Sequence, residues 1–160
     1  MYWMRRLCCL VMALCACVVI APTFALADEP LPLYASTENR REWIHADDHC
    51  SAIARILDDG RVGETYHVGT GEERSIAEIA DGVLAALGKP ASLKKIVPDR
   101  PGHDRRYLLD ASKIRAELGW EPQVTFESGL KETVDWYAAN RAWWEPLLER
   151  APVDETAAWK

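Results

Sequence analysis

Hydrophobic positions divide the chain sharply. Residues 7–20 form one uncharged, largely apolar run behind Arg5 and Arg6. Beyond residue 28 the apolar positions come in short groups whose spacing alternates between strand-like and helix-like. Pro30-Leu31-Pro32-Leu33-Tyr34 predicts an extended segment, because each proline biases the residue before it away from helix. Glu42-Trp43-Ile44-His45 predicts a short strand. Asp47 or Asp48 then caps a helix to about Asp58, with Ile53, Ile56 and Leu57 on one face and Gly60 at its end. Residues 64–68 predict a second strand, closed by Gly69-Thr70-Gly71.

Ser75-Ile76-Ala77-Glu78 has the form of a capping box and opens a helix through about Leu87, stopped by Gly88 with Pro90 beyond. A third strand falls at 93–97. A short helix over 113–118 starts from Asp110 or Ser112 and ends at Gly119. Thr125 caps a last helix from Phe126 to about Leu148, with Phe126, Leu130, Val134, Tyr137 and Trp144 near one stripe. Elements of the two kinds alternate, so the expected fold is a small mixed α/β layer.

The first 27 residues change this picture at one end. A positive start, a 14-residue apolar stretch and Ala25-Leu26-Ala27 match a secretory signal peptide. The same pattern also arises by accident when a coding sequence lacks its 5′ part, and both readings stand. The organisation is thus a signal-like leader or truncation artefact over 1–27, a domain over 28–150 and a tail over 151–160.

Hydrophobic residues make up 49% and charged residues 28% of the chain, which is globular composition. The net charge of −6 argues against a nucleic-acid partner but not against a small anion held by local arginines. Cys8, Cys9, Cys15 and Cys17 crowd the leader, and Cys50 stands apart. No spacing suits a zinc site, and Cys50 reads as a buried helix residue in a reducing compartment.

Candidate chemistry concentrates in Asp99-Arg100-Pro101-Gly102-His103-Asp104-Arg105-Arg106-Tyr107. This stretch follows a predicted strand and should run as a loop. Pro101-Gly102 is a turn pair that lets backbone approach a ligand. The arginines offer planar donor forks suited to phosphate, and His103 can donate to a phosphate or a ribose hydroxyl. Arg105 and Arg106 are adjacent and point apart, so at most one serves a site. A solvated basic loop explains the same residues equally well on physics alone.

The string Arg-Pro-Gly-His-Asp-Arg-Arg-Tyr at 100–107, with Glu117-Leu118-Gly119-Trp120, Thr133-Val134-Asp135-Trp136-Tyr137 and Arg41-Glu42-Trp43-Ile44-His45, resembles the dTDP-glucose 4,6-dehydratases. That family is a branch of the extended short-chain dehydrogenases, and the resemblance covers the C-terminal portion only. It implies the small mixed α/β substrate-binding part of such an enzyme, without the Rossmann domain. Pro32, Leu33 and Tyr34 would line the nucleotide pocket, with the aromatic ring near the base. Arg41 would hold the diphosphate, and Asp99, Arg100, Pro101, Gly102 and His103 would close over the nucleotide.

Three departures accompany the resemblance. Ala35-Ser36-Thr37 stands where a glycine-rich turn is usual, and Ile76 where an asparagine contacts the nucleotide. His67 replaces a common asparagine and reads as a satisfied structural histidine.

In the family, NAD oxidises C4 of the sugar, water leaves across C5–C6, and the hydride returns to C6. This chain shows no glycine-rich dinucleotide turn, no tyrosine followed four residues later by lysine, and no Thr-Asp-Glu run. The expectation is therefore a nucleotide-sugar-binding portion inactive by itself, with no catalytic residue and no cofactor of its own. Its expected partners are a dTDP-sugar and the missing Rossmann half. The alternatives are a stand-alone nucleotide-sugar-binding module and an exported interaction protein. Resemblance places the chain in the cytoplasm; the leader would place it outside.

Overall fold

The structure, a computed structural model, describes residues 16–99 and 101–150. In chain order the elements are α1 (Ala16–Leu26), β1 (Leu31–Tyr34), β2 (Arg40–Glu42), α2 (Ala46–Asp59), β3 (Glu73–Ser75) and α3 (Ile76–Ala86). A 3-10 turn (Ala91–Leu93), β4 (Lys94–Val97), α4 (Ser112–Leu118), α5 (Phe126–Ala139) and α6 (Arg141–Arg150) complete it. β1 pairs in parallel with β4, Leu31 opposite Lys94 and Tyr34 opposite Val97. β2 pairs antiparallel with β3, Arg40 opposite Ser75. The small mixed α/β layer expected from the sequence is present.

Strand β1 alternates cleanly. Leu31 and Leu33 are buried while Pro32 and Tyr34 are half-buried on the other face. Pro32 is tolerated because it lies on an edge strand of a two-stranded sheet. The capping box forms: the Ser75 hydroxyl accepts the Glu78 amide at 3.1 Å, and the Glu78 carboxylate accepts the Ser75 amide at 2.6 Å.

Two apolar clusters result. The first joins Leu31 and Leu33 to Ile79, Val83 and Leu84 of α3, Val134 of α5, and Ala21 and Ala25 of α1. The alanines let α1 come close to α3, and Ala25 is wholly buried. Helix α1 lies before the Ala27 boundary and shares this core with the residues after it. Asp28, with φ of 59°, turns the chain out of that helix towards β1. The second cluster gathers Ala52, Ala111, Ile114, Leu118 and Trp120.

Several expected details differ. The strand predicted at 42–45 lies at Arg40–Glu42, because Arg40 is bonded on both edges. It pairs with Ser75 on one side, and on the other its amide donates to the Arg105 carbonyl while its carbonyl accepts from Tyr107. Helix α2 is capped by the His45 ring, which accepts the Asp47 amide at 3.3 Å. Asp48 is drawn inward instead, where its carboxylate accepts the Gln123 and Val124 amides at 3.0 and 2.9 Å. That rotation sets the inner face of α2 with Ala52 and Ile56, so Ile53 and Leu57 are exposed.

Residues 64–68 run without a strand partner among the described residues; Tyr66 and Val68 pack onto the second cluster. His67, expected as a satisfied structural residue, is exposed. Cys50, expected as a buried thiol, is half-buried and disulfide-bonded.

The single last helix is two. Asn140 leaves helical geometry at φ −117°, ψ 35°, its side chain donates to the Trp136 carbonyl, and Trp144 Nε1 donates to the Tyr137 carbonyl. Among the described residues no helix is long and apolar enough to cross a membrane.

Replacing Asp48 by Ala leaves two inward amides without their acceptor. We expect urea unfolding to show a loss of about 2 kcal/mol at unchanged slope. Removing residues 1–27 takes Ala21 and Ala25 out of the first cluster, and we expect the cooperative thermal transition to disappear. A shortened chain that melts as sharply as the whole one would contradict this packing.

Candidate functional site

Parallel pairing sends the chain out of β1 and β4 on the same side of the sheet. The Ala35 amide still donates to the Val97 carbonyl at 2.9 Å, so Ser36 and Asp99 arrive together. Asp99 Oδ1 accepts the Ser36 amide at 3.0 Å and the Ser36 hydroxyl at 2.6 Å. The Pro101-Gly102 turn, with Gly102 at φ 68°, brings the chain back over this point. His103 Nδ1 then lies 3.0 Å from Ser36 Oγ, and its ring meets Tyr34 edge-on at 5.1 Å. Buried Asn39 donates to the same Ser36 oxygen at 3.1 Å.

Counting protons at Ser36 assigns the histidine tautomer. A hydroxyl has one proton and two acceptor sites. The proton goes to Asp99, whose carboxylate only accepts, and one acceptor site takes the Asn39 amide proton. His103 must therefore donate from Nδ1 into the remaining site. Because His103 gives its proton to Ser36 rather than taking one, the trio is not built as a hydrolase triad. It fixes a ring beside Tyr34. The Ser36 hydroxyl, followed by the Ser36 amide and His103, holds the Asp99 carboxyl below its ordinary value of 3.8.

Arg41 enters from β2. It donates to its neighbour's carbonyl at Arg40 (2.7 Å) and to the Asp104 carbonyl (2.6 Å), with its guanidinium 4.6 Å above the Tyr107 ring. The Tyr107 hydroxyl donates to the Asp104 carboxylate. Arg41 thus lies against the loop that carries His103.

Of the adjacent arginines, Arg106 is committed to Glu73 through two bonds of 2.7 Å, which hold the Glu73 carboxyl below its usual range. Arg105 is exposed. Arg100 lies outside the described residues.

The structure therefore gathers Tyr34, Asp99, His103 and Arg41 around one loop, with Pro101 and Gly102 exposed at its turn. Pro32 shares the face of Tyr34, whereas Leu33 points into the core. Ile76 is also a core residue, its amide donating to the Asn39 carbonyl at 3.2 Å. Sequence reasoning gave Asn39 no place, noted Ser36 only as part of a departure, and named Tyr107 only as the end of the candidate stretch. Only the register of two distant strands reveals that position 36 meets position 99.

A cavity of about 330 Å³ lies elsewhere, lined by Asp59, Arg61, Tyr66, Glu117 and Leu118. Its charged groups are already paired, Arg61 with Glu117 at 2.6 Å, and it contains none of the candidates. Among the described residues no group of His, Cys, Asp or Glu could hold a metal ion.

The family model described as GDP-mannose 4,6 dehydratase matches residues 20–133. The chain is 48% identical over 136 residues to a dTDP-glucose 4,6-dehydratase from Streptomyces niveus, covering 85% of this chain and 40% of that protein. A crystal structure of dTDP-glucose 4,6-dehydratase from Bacillus anthracis in complex with NAD superimposes with a TM-score of 0.77 at 45% identity, covering 81% of this chain and 41% of that one. A Streptomyces venezuelae dTDP-glucose 4,6-dehydratase with NAD bound gives 0.78 at 50% identity, covering 80% and 40%. The chain spans about 40% of the length of these relatives.

Because Asp99 is held low in the folded state, its contribution to stability is complete above about pH 4. That contribution is lost as pH falls through the lowered value. Ser36→Ala should move the carboxyl up towards 3.8, read by carbon NMR titration of Asp99. An unmoved titration would show that Ser36 is not the cause.

Proposed function

The chain belongs to the GDP-mannose 4,6 dehydratase family, and from that membership we propose that it is the nucleotide-sugar-binding portion of a dTDP-glucose 4,6-dehydratase. The observation that carries this reading is the convergence of an aromatic ring, an oriented imidazole and an arginine on the loop from Asp99 to Tyr107. A nucleoside diphosphate can use all three features: a surface for the base, an oriented imidazole nitrogen that accepts from a ribose hydroxyl, and a fixed cation for the diphosphate.

Tyr34, on the face of β1 opposite the core, offers its ring to the base. His103, with Nδ1 turned to Ser36, presents its other ring nitrogen away from that bond. Arg41 spends two of its five donors on carbonyls and keeps the others for phosphate oxygens. Pro32, Pro101 and Gly102 complete the pocket wall in this reading, and Leu33 supports it from the core side.

The chemistry of the reaction lies with groups this chain does not supply. NAD is the electron sink that acidifies the C5 proton, and a separate dinucleotide-binding half is the proposed partner that would bring it. In this reading the chain alone binds a dTDP-sugar, turns nothing over and takes up no NAD, and it works in the cytoplasm.

Calorimetric titration of the full chain with dTDP and, separately, with NAD tests the proposal. We expect dTDP to bind and NAD not to. Arg41→Ala and His103→Ala should each weaken dTDP by roughly tenfold or more, the scale of a lost charge-assisted or oriented hydrogen bond. NAD uptake, or dTDP binding indifferent to both substitutions, would sink this reading.

A further inference from the structure

We propose that Glu42 is a positioning residue, whose carboxylate latches the nucleotide loop to the Gly69–Gly71 turn and so sets where Arg41 meets that loop. The bonding of β2 to the loop follows alternate residues. The Arg40 amide donates to the Arg105 carbonyl and the Arg40 carbonyl accepts the Tyr107 amide, where backbone pairing stops. The next donor in the series, the Leu109 amide, is taken by Glu42 Oε2 at 3.1 Å. The side chain thus carries the pairing one step beyond the backbone ladder. Its other oxygen, Oε1, accepts the Gly71 amide at 2.6 Å. One carboxylate therefore joins segments 29 and 67 residues away from it.

The turn it grips is itself anchored. Arg115 of α4 donates to the carbonyls of Gly69 and Thr70 at 3.3 and 3.2 Å, and the Thr70 hydroxyl donates to the Trp43 carbonyl at 3.2 Å. Through Glu42 the loop is referred to the second apolar cluster rather than to β2 alone. Gly69 is the space the latch needs. A Cβ there would lie 2.5 and 2.6 Å from the two carboxylate oxygens and meet nothing closer in the backbone. The easiest relief is for the carboxylate to leave both amides. The glycine at 69, in the turn that closes the 64–68 segment, is accounted for in this way.

The dependence on the proposed function is confined to the ligand readout. Amide hydrogen exchange on the ligand-free full chain tests the latch itself. Glu42→Gln keeps the volume but offers one acceptor oxygen, so at least one of the Gly71 and Leu109 amides should exchange about tenfold faster. Gly69→Ala should release both amides in the wild-type background and add nothing to Glu42→Ala, where the space is empty. A merely structural side chain would instead give additive losses of melting temperature and leave these two amides unmoved.

The ligand arm then follows. Glu42→Gln should weaken dTDP about tenfold, a change of about 1.4 kcal/mol, with the thermal midpoint unchanged. Unchanged exchange at both amides, or a Gly69→Ala effect equal in the two backgrounds, overturns the latch. If the wild-type chain fails to bind dTDP while the exchange results hold, the latch stands and the nucleotide reading falls.

Discussion

Where β1 and β4 lie side by side in parallel, Tyr34 faces Val97, and the segments that follow both strands leave the sheet together. Everything in the candidate site depends on that register. A slip of one residue would turn Tyr34 into the core and Leu33 out of it, and would carry Ser36 away from Asp99. The register is held by burial of Leu31 and Leu33 against α3 and α1, and continued by the Ala35 bond to Val97. Packing between helices thus decides the position of polar groups at the strand ends.

From that point the site assembles by successive satisfaction of polar groups. Ser36 uses its single proton and both acceptor sites on Asp99, Asn39 and His103, which leaves the imidazole one orientation and one tautomer. Arg41 is treated differently. Its guanidinium is wedged between carbonyls and an aromatic face, and among the described residues it forms no ion pair with a carboxylate. Arg106 is paired in just that way with Glu73, and it serves to tie the loop to β3. Two arginines of equal appearance in the sequence divide into a candidate ligand group and a fastener.

Much of this was legible in the sequence where the signal is local. The capping box at Ser75, the extended run to Tyr34, the strand ending at Val97 and the left-handed stop at Gly119 all follow from a few adjacent residues. What was hidden is set by distant partners. The pattern alone does not show that Asp48 is needed at the Gln123 and Val124 amides, so the cap fell to His45 and the inner face of α2 rotated. The strand sought at 64–68 has the right residues but no edge to join among the described ones. Ser36 looked like a departure from a glycine-rich turn, and its role appears only once Asp99 stands beside it. The apolar stretch at the start shows the same limit, since its alanines suit a signal peptide and a closely packed core helix equally.

In the proposed function the loops after β1 and β4, with Arg41, form a nucleotide site. Mapping amide chemical shifts of the full chain as dTDP is added tests it most directly. Perturbations should be confined to residues 32–41 and 99–109. Shifts centred on the cavity of Arg61, Tyr66 and Glu117 instead, or none at saturating dTDP, would contradict it.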